Sequence, residues 1–302
     1  MSNHILFDGT GESGWRWTHM MRSPDTEAAL LADPEISNTA AWALLEEDTL
    51  PRAGQMEGGT LLILRGINLV PGAEPEDMVS LRLWITAKRI VSTEIRRLTQ
   101  TDEMIRKFQS GDAPDSPGTF VFELVERLRA AAEPVLDEVE SRVSGMERLV
   151  ATAARRSGRA ERGTLAALRQ DAILLHRFIS PQALALDGLV RTAPAWLADV
   201  HAMREEAEAF RRIAADLDAL RQRAQLVAEE ISLAATERTN DIMLTLSLVA
   251  VLFMPATFLT GLFGVNLSGI PYATQAWAFW ALCALLTGIG LLSLWLVLRL
   301  LR

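Results

Sequence analysis

The order of hydrophobic and polar positions divides the chain into an alternating part, a helical part and an apolar end. Residues 4–8 and 14–20 alternate and predict strands, with Gly9-Thr10-Gly11 as the turn between them. Residues 24–32 and 37–46 predict helices, the second with Ser37 as N-cap. Residues 52–57 and 60–68 predict a hairpin about Gly58-Gly59. The continuous apolar run Leu61-Leu62-Ile63-Leu64 predicts a central strand covered on both faces. Residues 80–87 and 89–93 extend the sheet, so this part reads as a mainly antiparallel or mixed sheet with helices packed on it.

After Ile95 the pattern becomes helical. A short helix ends over residues 105–109, and residues 111–118 form a loop rich in Pro and Gly. Residues 119–154 predict one long helix, bent or broken near Pro134. A basic, glycine-containing turn over 155–163 leads into a second helix over 164–179, giving an αα-hairpin, and Pro181 and Pro194 punctuate the stretch after it. From Ala195 a helix of about 65 residues is expected, ~100 Å long if straight. Its seam Trp196, Val200, Met203, Ala207, Phe210, Ala214 and Leu217 suits packing against neighbouring helices. Such length implies a stalk that joins a body to the apolar end.

Charge sharpens the division. The 302 residues carry 30 Lys and Arg against 38 Asp and Glu, a net of −8. From Met243 onward the only charged residues are Arg299 and Arg302, so residues 1–242 hold a net of −10. An acidic body argues against nucleic acid as a partner. One cysteine excludes a disulfide framework and a multi-cysteine metal centre. Residues 243–263 and 277–298 are uncharged runs long enough to cross a bilayer core of about 30 Å. A pair of buried core helices is the alternative. The N-terminus has no basic region followed by an apolar run, so no signal peptide is expected. Arg238 precedes the first run, Arg299 and Arg302 follow the second, and the loop between is uncharged, which places both termini in the cytoplasm. Trp277 and Trp280 suit the membrane interface.

Within the first run a second pattern appears. Thr236, Asn240, Met243, Ser247, Ala250, Met254, Thr257 and Gly261 recur at spacings of four and three, so they share one narrow helix face. That face is small or polar, while Leu244, Leu248, Val251, Leu252, Phe258 and Leu259 lie elsewhere. Close helix packing and a pore lining shared among several subunits both fit it. The second run has no such seam; Cys283, Thr287, Gly288, Gly290 and Ser293 read as packing residues. The histidines, His4, His19, His176 and His201, are scattered without the spacing of a zinc site. The acidic stretches 205–208 and 229–230 read as solvated faces, with electrostatic focusing of cations as the functional alternative. No phosphate loop, Gly-x-Ser-x-Gly or His-Glu-x-x-His motif is present, so no enzyme activity is expected.

Between the two runs stands Gly261-Leu262-Phe263-Gly264-Val265-Asn266. It resembles the CorA superfamily of divalent-cation channels and transporters, whose members carry Gly-Met-Asn at the end of the first of two spans. Val265 in place of Met, followed by Leu267-Ser268-Gly269-Ile270-Pro271, resembles the ZntB-like zinc-transporter branch. Leu61 to Leu69 and Glu76 to Arg82 are similar to the N-terminal domain of that branch, and Met254-Pro255, Thr257-Phe258 and Gly261 match the superfamily's first span. Tyr272 replaces a glycine often found in the branch. The loop also lacks the acidic residue that magnesium-type members carry after their tripeptide.

The resemblance implies a homopentamer with a cytoplasmic α/β funnel, its sheet sandwiched by helices, a long stalk helix and two C-terminal transmembrane helices. The expected division is 1–188 for the α/β/α domain with its helical hairpin, 189–242 for the stalk and 243–263 for the pore-lining helix. It continues with 264–276 for the outer loop, 277–298 for the second transmembrane helix and 299–302 for a cytoplasmic tail. Gly264, Val265 and Asn266 become the ion selectivity motif. Asn240, Met243, Ser247, Ala250, Met254, Thr257 and Gly261 become the pore lining. Asn266 would hold a cation through its hydration shell. Met254 is expected to be an apolar gate, with a thioether ligand as the alternative. No resident cofactor is implied. The cargo is zinc, with cadmium, nickel, cobalt and magnesium as further candidates, and the partners are other copies of the chain and membrane lipid. The implied location is a bacterial inner membrane. A magnesium or cobalt channel of the same fold and a membrane-anchored coiled-coil scaffold are the alternatives.

Overall fold

The computed structural model describes residues 5–11, 13–47, 49–68, 78–153, 159–264 and 275–300. Its strands are β1 (Ile5–Thr10), β2 (Arg16–Met21), β3 (Arg52–Met56), β4 (Gly59–Gly66), β5 (Val79–Ile85) and β6 (Arg89–Glu94). Its helices are α1 (Pro24–Ala32), α2 (Asn38–Leu45), α3 (Thr99–Gln109), α4 (Pro117–Ala153), α5 (Arg159–Thr192), α6 (Val200–Phe263) and α7 (Ala276–Leu300). Two compact units emerge: Met1–Ala153 with Ser157–Glu229 form one, and Glu230–Arg302 falls in the other.

The first unit is built on a sheet of order β1-β2-β6-β5-β4-β3. Every neighbouring pair is antiparallel except β2 with β6, so the sheet is mixed, as the alternating pattern predicts. Leu61 to Leu64 of β4 are buried, the outcome expected of an apolar run covered on both faces. One face holds α1 and α2: Leu30, Ile36, Ala40 and Leu44 pack with Leu61, Ile63, Trp84 and Val91. Ser23 and Ser37 cap these helices, their side chains accepting from the Thr26 and Ala40 amides. The other face is aromatic. Trp17 lies 4.6 Å from Phe120 of α4 and 5.3 Å from Phe108 of α3, centroid to centroid.

Five expectations shift. The β3–β4 turn is Glu57-Gly58 rather than Gly58-Gly59. Gly58 has φ +83°, whereas Gly59 already pairs with Met56. A Cβ on Gly59 would stand 2.8 Å from the Ile85 carbonyl oxygen, so close strand packing accounts for this second glycine. Pro181 does not punctuate the chain but lies inside α5, which runs on to Thr192. Burial of Phe178, Ile179, Ala183, Leu186 and Leu189, at about 1.5–3 kcal/mol for each large side chain, outweighs the ~3 kcal/mol an internal proline costs. α4 likewise runs unbroken through Pro134. Trp196 does not begin the long helix. The chain turns at Ala193 (φ 40°), and Trp196 Nε1 donates to Thr60 Oγ1 at 3.0 Å. Asp199 then caps α6 by accepting from the Ala202 amide at 2.8 Å. The expected turn 155–163 is shorter, because α5 starts at Arg159; residues 154–158 lie outside the described residues.

Met203, Ala207, Phe210, Ala214 and Leu217 of α6 are buried within the first unit, as their spacing predicts. Polar pairs fix the helix register there. Arg129 Nε of α4 donates to Glu206 Oε2 at 2.8 Å, and Arg223 of α6 makes a bidentate pair with Glu147 at 2.7 and 2.8 Å. The intervals 129–147 and 206–223 nearly match, so α4 and α6 run parallel. α5 returns antiparallel, with Asp187 beside Arg211 and Arg169 donating to Gln225.

Candidate functional site

The candidate site is built on the apolar end of α6. Residues 243–263 are helical and carry no formal charge, and the bilayer-length window of this helix is unburied by the rest of the chain. The helix continues through Pro255, whose missing N–H leaves the Val251 carbonyl without its usual i+4 donor. Asn240, Met243, Ser247, Ala250, Met254, Thr257 and Gly261 are all exposed, Met243 by 61% and Met254 by 70%. The Ser247 hydroxyl donates to the Met243 carbonyl at 2.8 Å, so its hydrogen is satisfied and its oxygen remains an acceptor on the seam.

The rest of the helix surface is organised around that seam. The partly covered residues of the span are Leu248, Leu252, Pro255, Ala256 and Leu259. At about 100° per residue this stripe points roughly 160° away from the seam. In α7 the partly covered positions include Ala278, Leu282, Leu286, Ile289 and Ser293, again one face by their spacing. The apolar end of α6 and all of α7 belong to the second unit, and these two stripes are where each is covered. Spacing would have revealed the α6 stripe too, since 248, 252, 255 and 259 repeat the same four-three rhythm. Between seam and stripe lie two large apolar flanks. Leu246 and Phe253 stand on one side, Leu244, Val251 and Phe258 on the other, and all are exposed.

α6 ends at Phe263. The Gly264 amide donates to the Thr260 carbonyl at 2.9 Å, and a Cβ on Gly264 would stand 2.8 Å from that same oxygen. Glycine is therefore the residue that lets the chain leave the helix here without displacing backbone. Val265 and Asn266 lie outside the described residues, as does most of the expected outer loop.

The other polar candidates separate from this site. His19 is buried in the sheet, its Nδ1 2.8 Å from Ser92 Oγ and its Nε2 3.4 Å from Glu94 Oε1. His201 is exposed beside Glu205, and His4 lies outside the described residues. Glu206, read from sequence as part of a solvated face, is buried against Arg129. Among the described residues no three of His, Cys, Asp and Glu gather to hold a metal. On the α6 surface Asp218 is held below the usual carboxylate range by hydrogen bonds from Arg221 and Gln222.

Known proteins give this arrangement its context. The sequence profile described as "CorA-like Mg2+ transporter protein" matches residues 12–299. The chain is 32% identical over 288 residues to the divalent cation transporter CmaX of Pseudomonas aeruginosa, covering 94% of this chain and 86% of that protein. It is 32% identical over 282 residues to the zinc transport protein ZntB of Yersinia enterocolitica, covering 92% and 85%. The structure of full-length CmaX superposes with a TM-score of 0.83 at 31% identity, over 96% of this chain and 90% of that one. With two bilayer-length apolar helices, a mixed-sheet body and a profile match over nearly its whole length, the chain is a membrane protein that belongs to the CorA-like transporter family.

Proposed function

We propose that the protein conducts divalent cations, zinc foremost, through a central pore formed by five copies of α6. The observation that carries this reading is the position of the small and polar seam, opposite the face covered in the second unit. A lone span surrounded by lipid has no use for a hydroxyl and amide face. A ring of spans needs one, because water and a cation must pass along it. The unlike apolar flanks beside the seam suit heterologous contacts, which close into a ring.

In this reading Asn240, Ser247 and Thr257 line wetter stretches, and Met254 forms an apolar constriction. Asn266 supplies a ring of amide oxygens that holds the ion through its waters. The C-terminal end of α6 supports it, since helix carbonyls present partial negative charge there without a carboxylate that would slow release. The loop faces outward, both termini are cytoplasmic, and the membrane is the bacterial inner membrane. Zinc is favoured by Val265, by the uncharged loop and by the similarity to ZntB. Magnesium is the second reading, favoured by the description of the matching family. Uptake of zinc, cadmium and magnesium into proteoliposomes, with and without a pH gradient, tests both. Absence of flux for every ion would remove the transport reading, and magnesium flux without zinc flux would reverse the order.

A further inference from the structure

Charge on the outer helices of the first unit is sorted by edge. α4, α5 and α6 up to Glu229 all belong to that unit. Their polar pairs orient each helix. On α4, Arg129 and Glu147 reach α6, while Arg142 lies 3.9 Å from Asp171 of α5. On α5, Arg169 and Asp187 reach α6. At about 100° per residue, Glu126, Glu133, Asp137 and Glu140 of α4 lie roughly 20–80° past its α6-facing direction, on the side away from α5. By the same measure Arg162, Ile173, Arg177, Leu184 and Arg191 of α5 lie roughly 20–80° past its own α6-facing direction, on the side away from α4. All of these residues are exposed.

The two edges therefore flank α6 on opposite sides, one acidic and one basic. Among the described residues every exposed charged side chain of α5 is an arginine. Glu126, Asp137 and Arg191 form no hydrogen bond or ion pair among the described residues. Like edges repel across a two-fold axis, so each edge is matched only by the other edge of another copy. That is a head-to-tail contact, the kind that closes into a ring. The levels agree as well. Arg142 beside Asp171 sets Asp137 about level with Arg177, and Glu126 falls within about one helical turn of the level of Arg191. Leu184, 65% exposed, stands at about the level of Ala130, a small exposed residue of α4. A ring whose axis runs along these helices keeps all copies at one height, so the same levels meet across the contact.

We propose that the acidic edge of α4 docks onto the basic edge of α5 of a second copy, with Asp137 facing Arg177 and Glu126 facing Arg191 of the next copy. Exposed ion pairs contribute little each, so the contact sets the direction and register of neighbouring bodies rather than supplying most of the attraction. Leu184 adds the apolar anchor between the two arginines. This contact rests on the ring proposed for the pore and involves the first unit of each copy alone.

The test uses the full-length protein in detergent, with Cys283→Ala to remove the native thiol and E126C and R191C added together. A bifunctional maleimide links the copies into a ladder from dimer upward on a denaturing gel. E126C alone and R191C alone give no ladder, because like edges do not meet. In the double-cysteine chain D137R or R177D lowers the linked fraction by about fivefold, and D137R with R177D restores it. Such rescue separates a lost charge pair from a lost fold. Native mass of the same samples separates the possible failures. A pentamer without the ladder overturns this contact and leaves the ring standing, and so does a ladder from either single-cysteine chain. A monomer removes the ring and the contact together.

Discussion

At the residue scale the proposed outer site depends on one side-chain type and one bare backbone position. Asn266 offers an amide oxygen, strong enough to order the water around a cation and weak enough to let it go. Asn266→Ala should leave the assembly intact and lower divalent-cation uptake by at least about tenfold, the scale of one lost charge-assisted hydrogen bond per subunit. Wild-type flux in that variant would show that the ring does not select. Gly264→Ala should act through the backbone, because its methyl would meet the Thr260 carbonyl at 2.8 Å. Met254 tests a different property. If it gates by excluding water, Met254→Leu, which nearly conserves volume, should keep zinc flux and zinc-over-magnesium preference, while Met254→Ser should raise leak. Paired flux measurements decide it: selective loss of zinc flux in the leucine variant would establish sulfur ligation instead.

At the element scale the long helices are held by a few polar pairs rather than by apolar seams alone. Arg223 binds Glu147 through two hydrogen bonds and reaches Ser144 at 2.9 Å. The Arg223 guanidinium holds the Glu147 carboxyl below the usual carboxylate range, with a smaller contribution from Arg148. A carboxyl lowered in the folded state stabilises above its unfolded value and loses that contribution as pH falls through the lowered one. The pair is about one-third exposed, so Glu147→Gln should cost under about 1 kcal/mol near pH 7. Thermal unfolding of the two proteins should converge as pH falls through the lowered Glu147 value; a constant difference would show that packing, not charge, is lost. The helices were legible in sequence because their four-three rhythm is carried by large apolar side chains, and Met203 to Leu217 are indeed buried. Their ends were less legible. Pro181 signals a break locally, yet the side chains around it gain more from burial than the proline takes away. Trp196 fits the helical rhythm but turns aside to reach Thr60, a partner 136 residues away that no local pattern announces. Asp199 carried a usable signal, a capping residue directly before the helix.

At the scale of the whole molecule the proposal stands on what surrounds α6. One chain covers only one stripe of the span and leaves the seam and both flanks bare. If five copies close into a ring, flanks meet flanks and the seam meets water; if the chain stands alone, both meet lipid. Mass measurement in detergent should give a pentamer, and a stable monomer would remove the pore. A sharper test uses two adjacent residues at the same bilayer depth. Ala250 lies on the seam, and Val251 lies on a flank and is 56% exposed in the single chain. In lipid a carboxylate at mid-helix costs about 2.5–3.5 kcal/mol at either position. In the ring, Ala250→Asp places its charge beside pore water and passing cations, so assembly should persist with altered conductance. Val251→Asp buries its charge between subunits, where an unpaired ion costs several kcal/mol per copy, and assembly should fail. Size-exclusion and mass measurements on the two variants therefore diverge if the seam lines a pore. Equal loss of assembly in both would place the seam against lipid or another helix and return it to a packing role.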